Sequence, residues 1–339
     1  MKGNNNIFAA FAIKPGRLTL DCPLSMPEAG SFLWNKVMML QLNNRGYAVG
    51  QFMQPEPSKY SFAPNLEAKT FMQPEHNYYA NHPGRFFYIK DHDSNHSFSL
   101  PFAPSNKKLD KFCFSPGLDH IQWQVEHDNL QIEITVNLAT EQAIEMWTCT
   151  LKNLDNRSRN ISIYPCFSIG YMSWMNQSAD FDQELNAIVA SAITPYQQVA
   201  DYAKQQHFAD KTYLLAEQQP TSWCCNQKAF EGIGGMASPD AINTELLRQE
   251  NALYEVPIAV MQYQCELSPK QKISYRFLFG PAKDKQQIAS IKPQFFQSQN
   301  GFANEQKAYQ SYIAKGTGSI VIESNDQVFD QFVNLWLPR

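Results

Sequence analysis

The 339-residue sequence lacks a basic stripe. Lys and Arg number 28 against 32 Asp and Glu, for a formal net charge of −4. The one small basic cluster is Lys107, Lys108 and Lys111, whereas a polyanion binder spreads positive charge along a face, so nucleic acid is excluded as a partner. Long apolar runs are missing too, and nothing approaches the length needed to cross a membrane. The opening "MKGNNNIFAAFAIKPGR" holds only the short run Ile7 to Ile13, between three Asn and Lys14. It reads as a first strand rather than an export signal. A cytoplasmic location is therefore expected.

The motifs of common hydrolases and nucleotide binders are also absent: no G-x-S-x-G, no H-E-x-x-H and no phosphate-binding loop. The Cys residues number seven, an odd count that does not suit a disulfide framework. Several sit in apolar strand-like runs ("MWTCTL", "YPCFSI", "QYQCEL") and read as buried free thiols in a reducing compartment. Cys224 and Cys225 are adjacent, but no second Cys or His pair completes a zinc set. No metal or cofactor is expected. Internal repeats and low-complexity segments are missing as well.

Two near-motifs fail on inspection. "GIGGMA" places Gly232, Gly234 and Ala237 as in G-x-G-x-x-A, but "CCNQKAFE" before it is not the buried strand that a dinucleotide site needs. "DHDSN" opens like a calcium loop at Asp91, Asp93 and Asn95, then offers His96 and Phe102 where Gly and Glu belong. It reads as a hairpin turn. The lone His residues, among them His82, His120 and His127, read as structural or exposed.

What is present is β-sequence and a large apolar content, 43% hydrophobic and 13% aromatic residues. In "HIQWQVEHDNLQIEITVNLA", Ile121, Trp123 and Val125 alternate with polar residues. After a turn at His127-Asp128-Asn129, alternation resumes through Leu130, Ile132, Ile134, Val136 and Leu138. "EMWTCTLKNLDNRSRNISIYPCF" and "FFYIKDHDSNHSFSL" read as two more hairpins, and "VPIAVMQYQCEL" with "KISYRFLFGPA" as two strands turning at Ser268-Pro269-Lys270. "TPYQQVADYAKQQHF" and "SPDAINTELLRQ" read as short helices, the second capped by Ser238 with Pro239 at its first position. After Pro281, "DKQQIASIKPQF" and "NEQKAYQSYIAKG" read as helices. A terminal one, "NDQVFDQFVNLWLPR", is capped by Asn325 or Asp326. Strands this numerous without alternating helices predict an antiparallel sandwich. The division is a β-sandwich domain at 1–281 and a helical connector at 282–339.

Candidate functional residues are few. Trp123 and Trp147 sit in alternating strands and read as core. Tyr171, Trp174 and Asn176, followed by Asp180 and Asp182, form the better candidate surface for a sugar or a domain contact: aromatic faces for stacking beside clustered acids. On the terminal helix, Phe329, Val333 and Trp336 share one apolar face that calls for a partner.

Taken together these stretches resemble a known domain. "GRFFYIKD" (Gly84 to Asp91), a hairpin, and then the run from "KLDKFCF" to "IYPCF" resemble the N-terminal domain of cellobiose and chitobiose phosphorylases, glycoside hydrolase family 94, formerly glycosyltransferase family 36. "ELSPKQKISYRFLFG" is similar to that family's Glu-Leu-x-Pro-Gly hairpin with Lys270 in place of Gly, and "FDQFVNLWLPR" to the helix carrying Val-Asn-x-Trp. The resemblance covers roughly residues 30 to 339. "QFMQPEPSKYSFAPNLEAKTFMQPEHNYY" and the segment from Met172 to Ala216 have no trusted counterpart, which sets the chain apart as a subgroup.

The resemblance implies a mainly β, galactose-mutarotase-like super-β-sandwich with short helices and a C-terminal helical connector leading to an (α/α)₆ barrel that lies outside this sequence. It implies an inverting phosphorylase in which a barrel Asp protonates the leaving oxygen and inorganic phosphate attacks from the opposite face. No catalytic residue transfers to a position here. The implied partners are an oligosaccharide, phosphate in the parent enzyme, the missing barrel and a second copy in a homodimer. Alternative expectations are a stand-alone carbohydrate-binding module, or a mutarotase-type enzyme needing a His and a Glu converging on one face.

Overall fold

The computed structural model describes residues 11–14, 17–27, 29–52, 84–170, 175–193, 211–298, 300–315 and 321–336. The chain forms three antiparallel sheets. The largest has eleven strands, in spatial order β1 (Phe11–Lys14), β2 (Arg17–Leu20), β8 (Lys111–Pro116), β9 (Ile121–His127), β10 (Leu130–Leu138), β11 (Glu145–Asn153), β19 (Lys272–Ala282), β15 (Lys211–Ala216), β14 (Ala187–Ile193), β13 (Met175–Asp182) and β17 (Ala252–Leu253). The second has five: β16 (Ser222–Asn226), β18 (Pro257–Leu267), β12 (Arg159–Ser168), β6 (Arg85–Asp91) and β7 (His96–Leu100). A three-stranded meander, β3 (Gly30–Trp34), β4 (Met38–Asn43) and β5 (Ala48–Phe52), completes the β-structure.

The expected alternation holds along β10, where Leu130, Ile132, Ile134 and Val136 are buried and Gln131, Glu133 and Thr135 are half-buried. The β9–β10 hairpin pairs His127 with Leu130 across Asp128 and Asn129, whose φ of 51° and 57° give the left-handed turn that matches strand twist. Inner-face residues of the two large sheets meet in one core. Trp123 and Trp147 stack at its centre, ring centroids 6.2 Å apart and planes 12° apart, and Phe87, Phe167 and Phe277 surround Trp147 or Phe87 within about the same range.

Strand β6 is buried at all seven positions because both its faces are covered. Phe87 and Ile89 enter the main core, whereas Phe86 and Tyr88 enter a second cluster with Tyr164, Cys166, Phe230, Ile242 and Leu247. Phe230 comes from α1 (Gln227–Glu231), capped by Asn226, whose side chain accepts the Ala229 N–H. That helix precedes the glycines of "GIGGMA" instead of following them, so the run is a close turn and not a phosphate cradle. A Cβ at Gly234 would lie 1.9 Å from the Ser238 carbonyl oxygen.

Three expectations need correction. The strands in "EMWTCTL…YPCF" do not pair with each other: β11 pairs with β10 and β19, and β12 with β18 and β6. The strands either side of Ser268-Pro269-Lys270 likewise separate, β18 into the five-stranded sheet and β19 into the eleven-stranded one. Both turns are corners where the chain crosses between sheets. The third is "SPDAINTELLRQ", which forms only a single 3₁₀ turn, Asp240–Asn243, with Pro239 extended (ψ 132°) and no side-chain cap from Ser238. Its later residues are drawn alongside β16: the Leu247 N–H donates to Ser222 Oγ (2.9 Å) and Gln262 Oε1 (3.1 Å), and Gln249 N–H to the Trp223 carbonyl (3.0 Å). These tertiary bonds outcompete a helix that has no apolar stripe to support it. "TPYQQVADYAKQQHF" falls outside the described residues from Thr194 to Asp210.

The two stretches read as helices after Pro281 are helical. α2 (Lys285–Lys292) and α3 (Gly301–Lys315) lie against the outer face of the large sheet, burying Ile288, Ile291 and Phe302 with Met146, Tyr213, Leu215 and Leu278. Tyr309 of α3 donates its hydroxyl to the Trp34 carbonyl at 2.9 Å. No helix among the described residues is long and apolar enough to cross a membrane.

Candidate functional site

Tyr171 and Trp174 lie outside the described residues. Asn176 is exposed with φ 50°. Asp180 and Asp182 share one face of β13 and are both engaged by Lys285 of α2, at 3.4 and 2.9 Å. Asp182 Oδ1 also accepts the Glu184 and Leu185 N–H groups, both at 3.1 Å, closing the turn to β14. Burial works against its charge. The Lys285 hydrogen bond and the turn N–H groups outweigh burial and hold the Asp182 carboxyl below its ordinary range. The acids thus fasten β13 to the connector. On the other pleat face of β13, Phe181 stacks on Trp223 at 5.4 Å.

The terminal helix α4 (Gln327–Gln331) begins as expected: Asp326 Oδ1 accepts the Val328 N–H (3.0 Å) and the Phe329 N–H (3.2 Å). One wider turn, Phe332–Trp336, continues it. Val328, Phe329 and Phe332 are 53%, 49% and 53% exposed, while Val333 is half-buried. The Trp336 side chain lies outside the described residues.

The outer face of the large sheet holds a second arrangement. Strand register aligns two polar rungs across β9, β10, β11 and β19. One runs Gln124, Glu133, Thr150, Ser274, and the other Gln122, Thr135, Thr148, Arg276. Glu217 extends the second rung: its carboxylate pairs with Arg276 through Nε (2.7 Å) and Nη2. The Arg276 guanidinium lies 5.2 Å from the centre of the Phe302 ring. Between these rungs and α3, which contributes Phe302, Ala303 and Gln306, lies a cavity of about 690 Å³. The polar alternation of β10, β11 and β19 was visible in the sequence but read only as a wetter sheet face. Nothing local in it announces that five separate stretches line one hollow.

Elsewhere the chemistry is structural. Asp91 Oδ1 accepts the Asp93 and Ser94 N–H groups while Oδ2 pairs with Arg159, so "DHDSN" is a turn braced by an ion pair. The seven thiols are free, and burial pushes Cys224 up to about 11, which keeps it protonated and inert. No group of three or more His, Cys, Asp or Glu among the described residues is arranged to hold a metal ion.

Comparison with known proteins agrees with this architecture. Residues 49–297 match the family model described as glycosyl hydrolase 94, supersandwich domain. The chain is 47% identical over 323 residues to a cellobionic acid phosphorylase of Neurospora crassa, covering 95% of this chain and 41% of that protein. It is 26% identical over 261 residues to a 3-O-beta-D-glucopyranosyl-beta-D-glucuronide phosphorylase of Paenibacillus borealis, covering 75% of this chain and 33% of that protein. It therefore spans less than half the length of either relative. A solved structure from the human microbiome, described as a kojibiose phosphorylase, shares the fold with a TM-score of 0.51 at 10% identity, over 96% of this chain and 42% of that one. With the model matching well over half its residues and two opposed antiparallel sheets enclosing one core, the chain belongs to the glycosyl hydrolase 94 supersandwich family.

Proposed function

We propose that this chain is the supersandwich part of an inverting disaccharide phosphorylase whose whole length cleaves a β-linked glucosyl sugar acid with inorganic phosphate. The observation that carries the reading is the 47% identity, sustained over 95% of the chain, to a cellobionic acid phosphorylase. The glucuronide named for the second relative also bears a carboxylate, which supports an acidic sugar as the leaving group. In the proposed reaction a phosphate oxygen bonds to the anomeric carbon and the glycosidic bond to the sugar acid breaks. A general acid protonates the departing oxygen, leaving glucose 1-phosphate and the free sugar acid. The acid and the phosphate site are assigned to the part of the whole protein that this chain does not span.

The chain's own role is to carry and brace that catalytic part and to support a homodimer. A division near residue 281 is supported by the change from strand to helix after β19, and the helices that follow, α2 and α3, are seated on the large sheet. The exposed Phe329 and Phe332 side of α4 supports a contact with the helical barrel, with Val333 and Trp336 on the same helix. The test uses cellobionic acid with phosphate. The longer protein carrying this chain is expected to release glucose 1-phosphate and gluconate, and the 339-residue chain alone to release neither. Turnover by the chain alone, or inactivity of the longer protein on sugar acids with activity on neutral disaccharides, overturns the respective part of the reading.

A further inference from the structure

We infer that the cavity between the outer face of the large sheet and α3 is a binding site for a neutral, hydroxyl-rich oligosaccharide. At about 690 Å³ it falls within the range of small-ligand pockets, roughly 300–1,000 Å³. Its lining offers both halves of a hydroxyl-binding surface. Glu133 and Glu217 present carboxylate acceptors, and Thr135, Thr148 and Gln306 can donate and accept. Thr135 and Thr148 are direct neighbours across β10 and β11, and among the described residues neither hydroxyl has a protein partner. Among the described residues Glu133 is met only by Gln124, at 3.3 Å.

Charge selects the ligand class. The cation in the lining is Arg276, and its guanidinium is held at two points by Glu217. Among the described residues Glu133 has no such counter-ion, so the lining carries a net negative charge and disfavours phosphate and sugar acids. A neutral sugar, whose hydroxyls donate to carboxylates and exchange hydrogen bonds with threonines, fits without that cost. The groups are also held in place: Gln306 donates to Asn137 Oδ1 at 2.9 Å, and Phe302 is buried beneath Arg276 and stacked on Phe296 at 6.1 Å. The inference stands on the lining alone and is independent of the reaction proposed for the whole protein.

Calorimetric and NMR titration of the full chain with cellobiose and cellotriose tests it, with gluconate and inorganic phosphate as counter-probes. Saturable binding of a neutral sugar is expected, with shifts at Thr135, Thr148 and Ser274. Thr135→Val combined with Thr148→Val is expected to weaken it about tenfold, the scale of one to two lost hydrogen bonds. Glu133→Gln keeps size and shape and serves as the second variant, with a loss of similar size expected. No saturable binding of either sugar, affinity unchanged in the folded variants, shifts confined to the Asn176 edge, or tighter binding of phosphate than of sugar would each overturn it.

Discussion

Arg85 on β6 and Glu145 on β11 face each other across the two large sheets as a two-point ion pair, Nε to Oε2 at 2.9 Å and Nη2 to Oε1 at 2.8 Å. Both are buried. Trp147 Nε1–H donates to the same carboxylate at 2.8 Å, and the guanidinium lies 4.1 Å from the centre of the Phe279 ring. At the other end of β6, Asp91 pairs with the equally buried Arg159. Each end of this fully buried strand is therefore locked by a charge pair, and Phe87 and Ile89 fill the core between them.

Removing one member strands the other in the core. Glu145→Ala is expected to destabilise the chain by about 3–5 kcal/mol, because the Arg85 charge keeps its desolvation cost and loses its compensation. The double variant Arg85→Met with Glu145→Leu is expected to recover most of that loss. Urea denaturation of the three proteins checks both statements.

Asn153 should be nearly as sensitive despite being neutral. Its Nδ2 lies 2.8, 3.0 and 3.2 Å from the carbonyls of Arg157, Leu267 and Ser268, so one buried amide ties together the two corners where the chain changes sheets. Asn153→Ala is expected to cost about 1–3 kcal/mol, since it removes the amide's hydrogen bonds, among them the buried one to the Leu267 carbonyl. Asn153→Asp places a carboxylate against those carbonyls and should cost more above pH 5 than below it. Thermal melts at the two pH values separate the cases.

Stability should fall as pH drops from 7 towards 5. Burial lowers the His127 pKa from its ordinary 6.5, and nearby His96 adds to this. Asp110 and Asp128 oppose both. Its ring lies edge-on to Phe98 at 4.7 Å. A base with a depressed folded pKa binds fewer protons folded than unfolded, so acidification below the unfolded value favours unfolding. The penalty begins near pH 6.5 and stops growing once the folded pKa is passed. His127→Phe should show a shallower pH slope by urea denaturation over that window.

The terminal helix should contribute little to this chain's own stability. With Phe329 and Phe332 about half exposed, Phe329→Ser and Phe332→Ser are each expected to change unfolding free energy by no more than about 0.5–1 kcal/mol. The pair should lower binding of a hydrophobic dye. In a longer protein where this face is covered, the same changes should cost about 1.5–3 kcal/mol each.

Much of the fold was legible locally. Period-two alternation marked β9 and β10, and their turn lies where Asp128 and Asn129 suit a left-handed hairpin. Asp326 capped α4 as its position before the apolar stripe required. "GRFFYIKD" stood out as a pattern, but its reason did not. That Arg85 and Asp91 end the strand because each meets an opposite charge elsewhere in the chain is a tertiary fact. The acidic pair in the candidate surface was visible too, yet its use in holding Lys285 of α2 was not, because that partner lies about a hundred residues away.

By itself, then, the sequence determined the strands that alternate cleanly, such as β9 and β10, and which of their faces is apolar, since these follow from nearest neighbours and backbone preference. Only the tertiary structure decided which strands pair. A turn that returns a strand to its neighbour and one that sends it to the opposite sheet use the same residues, and burial of both sheets' inner faces chooses between them. The same long-range choice drew residues 244–249 out of a helix, and it gathered Glu133, Thr148, Glu217 and Arg276 around one cavity.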